Sequence, residues 1–432
     1  MLLDIHGFDY EGRGVARHEG KTVFVGGALP GEKVRARETL CKKNFSEAQM
    51  LEVLMPSPDR VEPACLYYEK CGGCALQHVN ETAQHRLKET VWLEQLSRIG
   101  HVEPQEILPA ITTESWHYRS RARLAWQDEG KRNSALGFRG RASRSVVNVD
   151  NCLILPTDIG TRLSDIRDLC IALSQQSKVL GVDVSEGDKV TVLRIRLQRM
   201  PVGVAAIFSV IDRWNTTARQ PWQIWLQSGK DNVIKWPDEA PLLTYELPDY
   251  GLSIPYAPDD FTQVNKQLNR QLVRLVLTAL DPQRDEKILD FFCGLGNFSL
   301  PLAAIGADVF GLEGVDAMVA RANRYVVSQG LAERCHFQRA DLFEVGSKTL
   351  RAWGKAEKWL LDPPRAGAQA LCEALTMTSG PKCIVYVSCN PGTLARDAGI
   401  LSKKGYRMVS GRLLHMFDHT AHVESLAVFM RD

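Results

Sequence analysis

From residue 262 onward the sequence alternates strand-like and helical stretches, a rhythm that few folds accommodate. KILDFFCG, ADVFGLEG, CHFQRAD, EKWLLDPP and KCIVYVSCNP are short apolar runs of strand type, separated by helical stretches such as 315–330 and 393–404. Strands that alternate with helices are buried on both faces, which implies a parallel, doubly wound α/β sheet. The last two strand-like runs, YRMVSGRLLHMF and HVESLAVFM, have no helix between them and are expected to form a hairpin.

This segment is one of about three domains that a chain of 432 residues implies, at roughly 150 residues each. Residues 1–55 read as short alternating strands, the texture of a small β-barrel, and Pro56, Pro58 and Pro63 mark a linker. Lys33, Arg35 and Arg37 share one strand face there, either a contact surface or an ordinary solvated one. A cysteine-rich loop and a helix near 80–99 follow, and 116–250 mixes strands with helices. The expected division is 1–55, 56–260 and 261–432, with an α+β middle domain. The N-terminus, MLLDIHGFDYEGRG, lacks the apolar core of a secretory signal, and no apolar run reaches membrane-spanning length. A cytoplasmic, non-membrane protein is therefore expected, and the eleven cysteines, an odd number, argue against a complete disulfide framework.

A formal charge of +2 speaks against a uniformly basic nucleic-acid coat, yet the charge is segregated. Residues 117–145 carry Arg119, Arg121, Arg123, Lys131, Arg132, Arg139, Arg141 and Arg144 against Asp128 and Glu129, a local +6. Residues 231–260 carry seven acids against Lys235, a local −6. Arg119, Arg121 and Arg123 alternate along one strand beside Trp116, Tyr118, Trp126 and Phe138. Guanidinium groups beside aromatics suit phosphate contact and base stacking in RNA, while a basic strand face over a core of aromatics is the plainer reading.

Segment 289–303, LDFFCGLGNFSLPLA, is a strand, a glycine turn and a helix. Gly294 and Gly296 let the backbone turn sharply at the carboxyl end of a strand, where open α/β sheets bind ligands. Glu313 closes the next strand, 19 residues after Gly294, where a carboxylate can accept hydrogen bonds from ribose hydroxyls. A dinucleotide or S-adenosylmethionine fits this pattern. The dinucleotide fingerprint requires a third glycine where Ser299 stands, which favours the adenosyl ligand.

The fourth strand ends at Leu361-Asp362-Pro363-Pro364-Arg365 and the fifth at Ser388-Cys389-Asn390-Pro391, so their polar groups converge on the edge that carries the glycine loop. Cys389 precedes a helix expected to start near Thr393, whose N-terminal field would stabilise a thiolate. A nucleophilic thiol beside a methyl donor suggests pyrimidine chemistry. Thiolate addition to C6 makes C5 nucleophilic, and a base must then remove the C5 proton so that the thiol can leave. Glu424, which opens the last strand, is the candidate base. Cys41, Cys170, Cys293, Cys335, Cys372 and Cys383 lack such a context and read as buried or incidental. Cys65, Cys71 and Cys74 form C-x5-C-x2-C with Gly72 and Gly73 between the last two, and Cys152 is available as a fourth ligand. A four-thiolate zinc site, a [4Fe-4S] cluster and a redox C-x-x-C are all compatible with these residues.

FTQVN at 261–265, DFFCGLGNFSLPLA, LDPPRAGA, YVSCNPGTLARD and HTAHVES, in this order and spacing, resemble the bacterial RNA uracil-C5 methyltransferases over nearly the whole chain. The resemblance is closest to the type that acts on 23S ribosomal RNA. It implies a class I (Rossmann-like) S-adenosylmethionine methyltransferase domain, an N-terminal OB-like TRAM barrel and a central domain carrying an iron-sulfur cluster. Its implied activity is methylation of uracil 1939 in 23S rRNA, by a monomer, with Cys389 as nucleophile and Glu424 as base. Gln263, Phe292, Asn297, Glu313, Asp341 and Asp362 would surround S-adenosylmethionine, and Cys65, Cys71, Cys74 and Cys152 would hold a [4Fe-4S] cluster. His415 and Asp418 depart from the family pattern, which has Asp and Pro there, and this bears on the turn before Glu424. Another uridine, in a second 23S loop or the tRNA T-loop, is the alternative target. An idle methyltransferase fold that only binds RNA is the alternative function, against which the intact Cys389 and Glu424 argue.

Overall fold

A computed structural model describes residues 1–130, 134–377 and 380–431. Lys131 and Arg132 of the basic segment lie outside the described residues. The chain forms two compact units, Met1–Pro63 with Ala75–Thr113 and Arg270–Asp432, and Ala64–Cys74 with Glu114–Asn269.

The first unit is built on the sheet anticipated from the strand–helix rhythm. Its strands are β1 (Lys287–Phe291), β2 (Asp308–Glu313), β3 (Cys335–Arg339), β4 (Lys358–Leu361), β5 (Cys383–Ser388), β6 (Arg407–Leu414) and β7 (Glu424–Met430). They lie in the order β3-β2-β1-β4-β5-β7-β6, with a short strand Glu106–Ile107 added outside β6. β1 to β5 are parallel, whereas β7 runs antiparallel to both β5 and β6. All six residues of β5 are buried, which is why KCIVYVS reads as a continuous apolar run rather than an alternating one. The expected hairpin exists as the β6–β7 pair, with β7 inserted next to β5.

The helix Glu81–Gln95 starts where the side chain of Asn80 accepts the amide of Ala83 at 2.8 Å. Its Trp92 and the following Leu96 are buried in the same core as Phe291, Tyr386 and Phe429. Gly100 ends the turn after this helix, and a Cβ there would meet the carbonyl oxygen of Ala395 at 2.4 Å, so only glycine permits that approach.

The N-terminal residues close a barrel. Leu2–Asp4 pairs with Lys33–Cys41 while Gly7–Phe8 pairs with Arg13–His18, so one stretch of chain joins both edges of the six-stranded sheet. Leu3, Val23, Val25, Val34 and Ala36 fill it. Arg35 and Arg37 point outward and are engaged by Glu52 at 2.8 Å and Gln49 at 3.0 Å.

The second unit is α+β, with a seven-stranded sheet in the order Val146–Asn148, Ala135–Arg139, Arg121–Gln127, Val179–Glu186, Thr191–Leu197, Trp222–Ser228 and Asn232–Trp236. Helices Leu163–Ser174 and Ala205–Asn215 contribute Leu163, Ile166, Leu169, Ile207 and Ile211 to its core.

Candidate active site

The glycine turn after β1 is backbone-strained in the way a ligand loop requires. Phe292, Gly294 and Gly296 have φ of 63°, 58° and 89°. A Cβ on Gly296 would lie 2.7 Å from Phe337 Cζ, so this position admits no larger residue without rearrangement. Glu313 at the end of β2 accepts the amide of Gly294 at 3.1 Å and that of Val315 at 2.9 Å, one on each carboxylate oxygen. Each oxygen keeps a further lone pair. Phe292 lies 5.6 Å from the Phe343 ring, and exposed Asp341 accepts the Phe343 amide at 2.9 Å. Asn297 is half-buried in the same turn.

Ser299, the residue that stands in place of a third glycine, has a specific use. Its hydroxyl donates to the fully buried Asp290, whose other carboxylate oxygen is buried without a partner. Asp290 was not singled out in the sequence because it sits inside the apolar LDFF run, and the Asp290–Ser299 spacing was its one available signal.

The ends of β4, β5 and β7 meet at the same edge. Ser388 and Ser425 are partners in the β5–β7 register, so Cys389 and Glu424 leave adjacent strands side by side. Asn390 caps the helix Pro391–Lys403, accepting the amides of Gly392 at 3.0 Å and Thr393 at 3.3 Å. The helix thus starts two residues earlier than the sequence suggested, and Cys389 directly precedes its cap. The loop after β4 is tied to this helix: Asn390 Nδ2 and Thr393 Oγ1 donate to the Arg365 carbonyl, and Arg396 donates to that of Ala366. Asp397 accepts the Ala368 amide and the Tyr386 hydroxyl, both at 2.7 Å. Arg365 Nη2 reaches His422 Nε2 at 3.1 Å. The turn before Glu424 is firmly built despite the unusual His415 and Asp418, since Gln84 Oε1 accepts the His419 amide and Lys88 donates to the Phe417 carbonyl.

Electrostatically this edge holds more acids than it can ionise. Burial pushes Asp362 up to about 8, with Asp290 adding to the effect. Burial, then Asp362, holds Glu424 well above the ordinary carboxylate range. Cys389 is pushed up to about 12 by burial and then by Glu424 and Asp362, against a smaller opposing pull from Arg365. Burial and the two facing carboxyl groups thus oppose the helix field that was expected to stabilise a thiolate at Cys389. A pocket of mutually repelling acids favours a cationic ligand, and the sulfonium and ammonium groups of S-adenosylmethionine meet that requirement.

Asp362 yields a stability prediction. A carboxyl bound to its proton more tightly in the folded state than in the unfolded one makes stability fall as pH rises, here from about 4 towards about 8. Asn cannot ionise, so Asp362→Asn should raise the thermal midpoint more at pH 8 than at pH 5. Melting curves at both values check this, and an equal difference at the two would contradict it.

In the second unit, Cys65, Cys71, Cys74 and Cys152 are all half-buried. Burial raises the thiols of Cys71 and Cys152, with smaller additions from Cys65 on Cys71 and from Cys65 and Cys71 on Cys152, which places the three near one another. Tyr67 joins their segments, accepting the Cys71 amide on its carbonyl at 2.7 Å and the Asp150 amide on its hydroxyl at 3.2 Å. A Cβ on Gly73 would stand 3.5 Å from Cys71 Sγ, and one on Gly72 would stand 2.9 Å from the Arg139 carbonyl. The loop is therefore a glycine cradle around sulfur donors, a fit for a thiolate-bound metal centre. Arg141 braces it by donating to the carbonyls of Tyr68 and Cys74.

The basic strand is less available than its charge implied. Arg121 is spent on the carbonyls of Pro258 and Asp260 and on Thr262 Oγ1, and Arg194 pairs with Asp259 at 3.5 Å. The acidic segment thus occupies Arg121 through its backbone and the buried Arg194 through Asp259. Arg123 keeps an exposed side chain although it contacts Asp183, and Arg139 and Arg144 are exposed. Gln263 lies in this unit, lining a small pocket with Ser120, Tyr245, Tyr256 and Lys266.

The 3-2-1-4-5-7-6 sheet, the glycine turn and the acid closing β2 define a class I methyltransferase fold, here preceded by a TRAM barrel. The family model for tRNA (Uracil-5-)-methyltransferase matches residues 245–432, and that for the TRAM domain matches residues 1–51. The chain is 44% identical over 431 residues to the 23S rRNA (uracil(1939)-C(5))-methyltransferase RlmD of Dechloromonas aromatica, covering 98% of each chain. It is 41% identical to the RlmD of Neisseria lactamica, covering 99% of this chain and 95% of the relative. The solved Pyrococcus abyssi tRNA (uracil-54, C5)-methyltransferase, in complex with S-adenosyl-L-homocysteine, superposes with a TM-score of 0.75 at 25% identity over the whole of both chains. The chain belongs to the RNA uracil-C5 methyltransferase family, in its RlmD group.

Proposed function

We propose that the protein methylates C5 of uracil 1939 in 23S ribosomal RNA, using S-adenosylmethionine. The observation that carries this reading is the β5–β7 register, which sets Cys389 beside Glu424 at the edge that holds the glycine turn. Glu313, Asp362, Phe292 and Asn297 would hold the methyl donor, with Asp341 as a further contact. When bound, S-adenosylmethionine supplies an electrophilic methyl group and a positive charge that favours the ionised forms of Asp362 and Glu424.

Cys389 gives up its proton to solvent water as its sulfur bonds to C6 of the uracil, and the electron pair of the C5–C6 double bond moves onto the ring as an enolate; the thiolate released at the end takes a proton back. C5 then takes the methyl group. Glu424, as carboxylate, removes the proton left on C5, the double bond re-forms, and the C6–S bond breaks. The uridine has to leave its stack to reach Cys389, as in other enzymes that modify bases.

Identity favours ribosomal over transfer RNA: 44% to the 23S enzyme of D. aromatica against 25% to the tRNA enzyme of P. abyssi. The test is incubation of reduced protein with 23S rRNA and methyl-labelled S-adenosylmethionine. Labelled 5-methyluridine is expected, and its absence would reject the reading. The proposed location is the cytoplasm, with the ribosomal substrate; among the described residues, no helix is long and apolar enough to cross a membrane.

The same reading assigns Cys65, Cys71, Cys74 and Cys152 to a [4Fe-4S] cluster, on the strength of an all-sulfur donor set in a glycine cradle. Anaerobically purified protein should contain iron and sulfide and absorb near about 400 nm, and Cys152→Ser should lose both signals. Stoichiometric zinc in place of iron would contradict the assignment.

A further inference from the structure

We propose that His85, His415 and Asp418 form a site for a divalent transition-metal cation of the zinc type, which clips the helix Glu81–Gln95 to the turn that leads into Glu424. One ligand atom from each of the three residues lies within 4.8 Å of the other two. His85 Nε2 and Asp418 Oδ1 are 3.2 Å apart. Metal–ligand bonds of about 2.0–2.1 Å in a tetrahedron place neighbouring ligand atoms about 3.3 Å apart, close to the spacing of this pair before His85 turns.

His415 supplies the second, independent observation. It is 2% exposed, and its Nε2 is buried without a hydrogen-bond partner. A buried imidazole nitrogen in this state is left with desolvation that nothing offsets, and a metal bond would satisfy it. Two imidazoles and one carboxylate suit zinc, cobalt or nickel, whereas calcium and magnesium prefer all-oxygen sites. The buried Lys88 ammonium donates to the Phe417 carbonyl at 3.0 Å and is also attracted by Asp418, so a metal ion would compete with it for that carboxylate.

Access is through His85, the member with a 26% exposed side chain. Its ring stacks on His415 at 3.5 Å between centroids and 20° between planes, so ligation by both histidines requires the His85 ring to turn off its neighbour. The site stands apart from the methylation chemistry: if Glu424 had no role as base, the three ligands would still converge. Its consequence for the turn is mechanical, an additional tie between the helix and the segment six residues ahead of Glu424.

The experiment uses the full chain, purified anaerobically so that the four-cysteine centre stays occupied, and titrated with cobalt(II) and then zinc. Wild type should take up one cobalt beyond that centre, adding visible ligand-field bands without the added near-ultraviolet thiolate absorption that cysteine ligation would bring, and zinc should displace it. His415→Ala and Asp418→Asn should weaken this binding on the order of tenfold or more. His85→Ala, on a partly exposed helix position, should do the same and covers the case in which a buried variant fails to fold. Zinc should also raise the thermal midpoint of wild type but not of His85→Ala. Equal cobalt affinity and stoichiometry in wild type and His85→Ala, or bound cobalt showing only thiolate spectra, would overturn the proposal.

Discussion

Cys389→Ala is expected to abolish 5-methyluridine formation, by a factor on the order of 10^4 or more, without unfolding the protein. The size follows from the chemistry. Uracil C5 does not attack a methyl donor at a useful rate until a nucleophile has added to C6, and no other group in the described turn can take that place: Asn390 is used as a helix cap and Ser388 donates to the Asn390 carbonyl. The small structural effect follows from the packing. Cys389 is half-buried, and its neighbours are held independently by the β5–β7 ladder and by the helix cap. Methyl transfer and a thermal melt, measured on the same preparation, separate the two effects. Residual activity above about one per cent of wild type would reject Cys389 as nucleophile.

Glu424→Gln has a different expected outcome: the RNA should become trapped on the protein. Gln preserves the shape of Glu and cannot accept the C5 proton, so addition and methylation can proceed while elimination cannot. A covalent protein–RNA species carrying the methyl label should persist on denaturing gels. Glu424 is 3% exposed and its ionisation is opposed by burial and by Asp362, so the neutral amide should be tolerated at neutral pH. Release of free methylated RNA at wild-type rate would remove Glu424 from its role. Loss of both adduct and product would instead place it before methyl transfer, which also contradicts the proposed order of steps.

Much of the fold was legible because its signals are local. The strands β1 to β7 were visible as short apolar runs and the parallel pairing follows from the strand–helix rhythm, whereas the short strand Glu106–Ile107 and the strand order were not. The position of β7 between β5 and β6 was less accessible, since a hairpin signal does not say which strand takes the inner place. The glycine turn, Glu313, Cys389 and Glu424 were readable for a related reason: each is a polar or small residue at the end of an apolar run. Asp290 was hidden inside such a run, and its pairing with Ser299 depends on the turn that brings them together. Charge counting misled over Arg121, because a segment sum cannot show that the partners of an arginine are backbone carbonyls at 258 and 260. It also could not reveal the elevated pKa of Cys389, which arises from groups 27 residues before it and 35 after it in sequence, Asp362 and Glu424. The contact between His85 and the 415–418 turn spans more than 300 residues, a distance across which no periodicity carries information.

Mapping of 5-methyluridine in 23S rRNA from a deletion strain, complemented with wild type or with Cys389→Ala, tests the central claim most directly. The modification should be absent at uracil 1939 in the deletion strain, restored by wild type and not restored by Cys389→Ala. Its persistence at that position in the deletion strain, or its restoration by Cys389→Ala, would contradict the account.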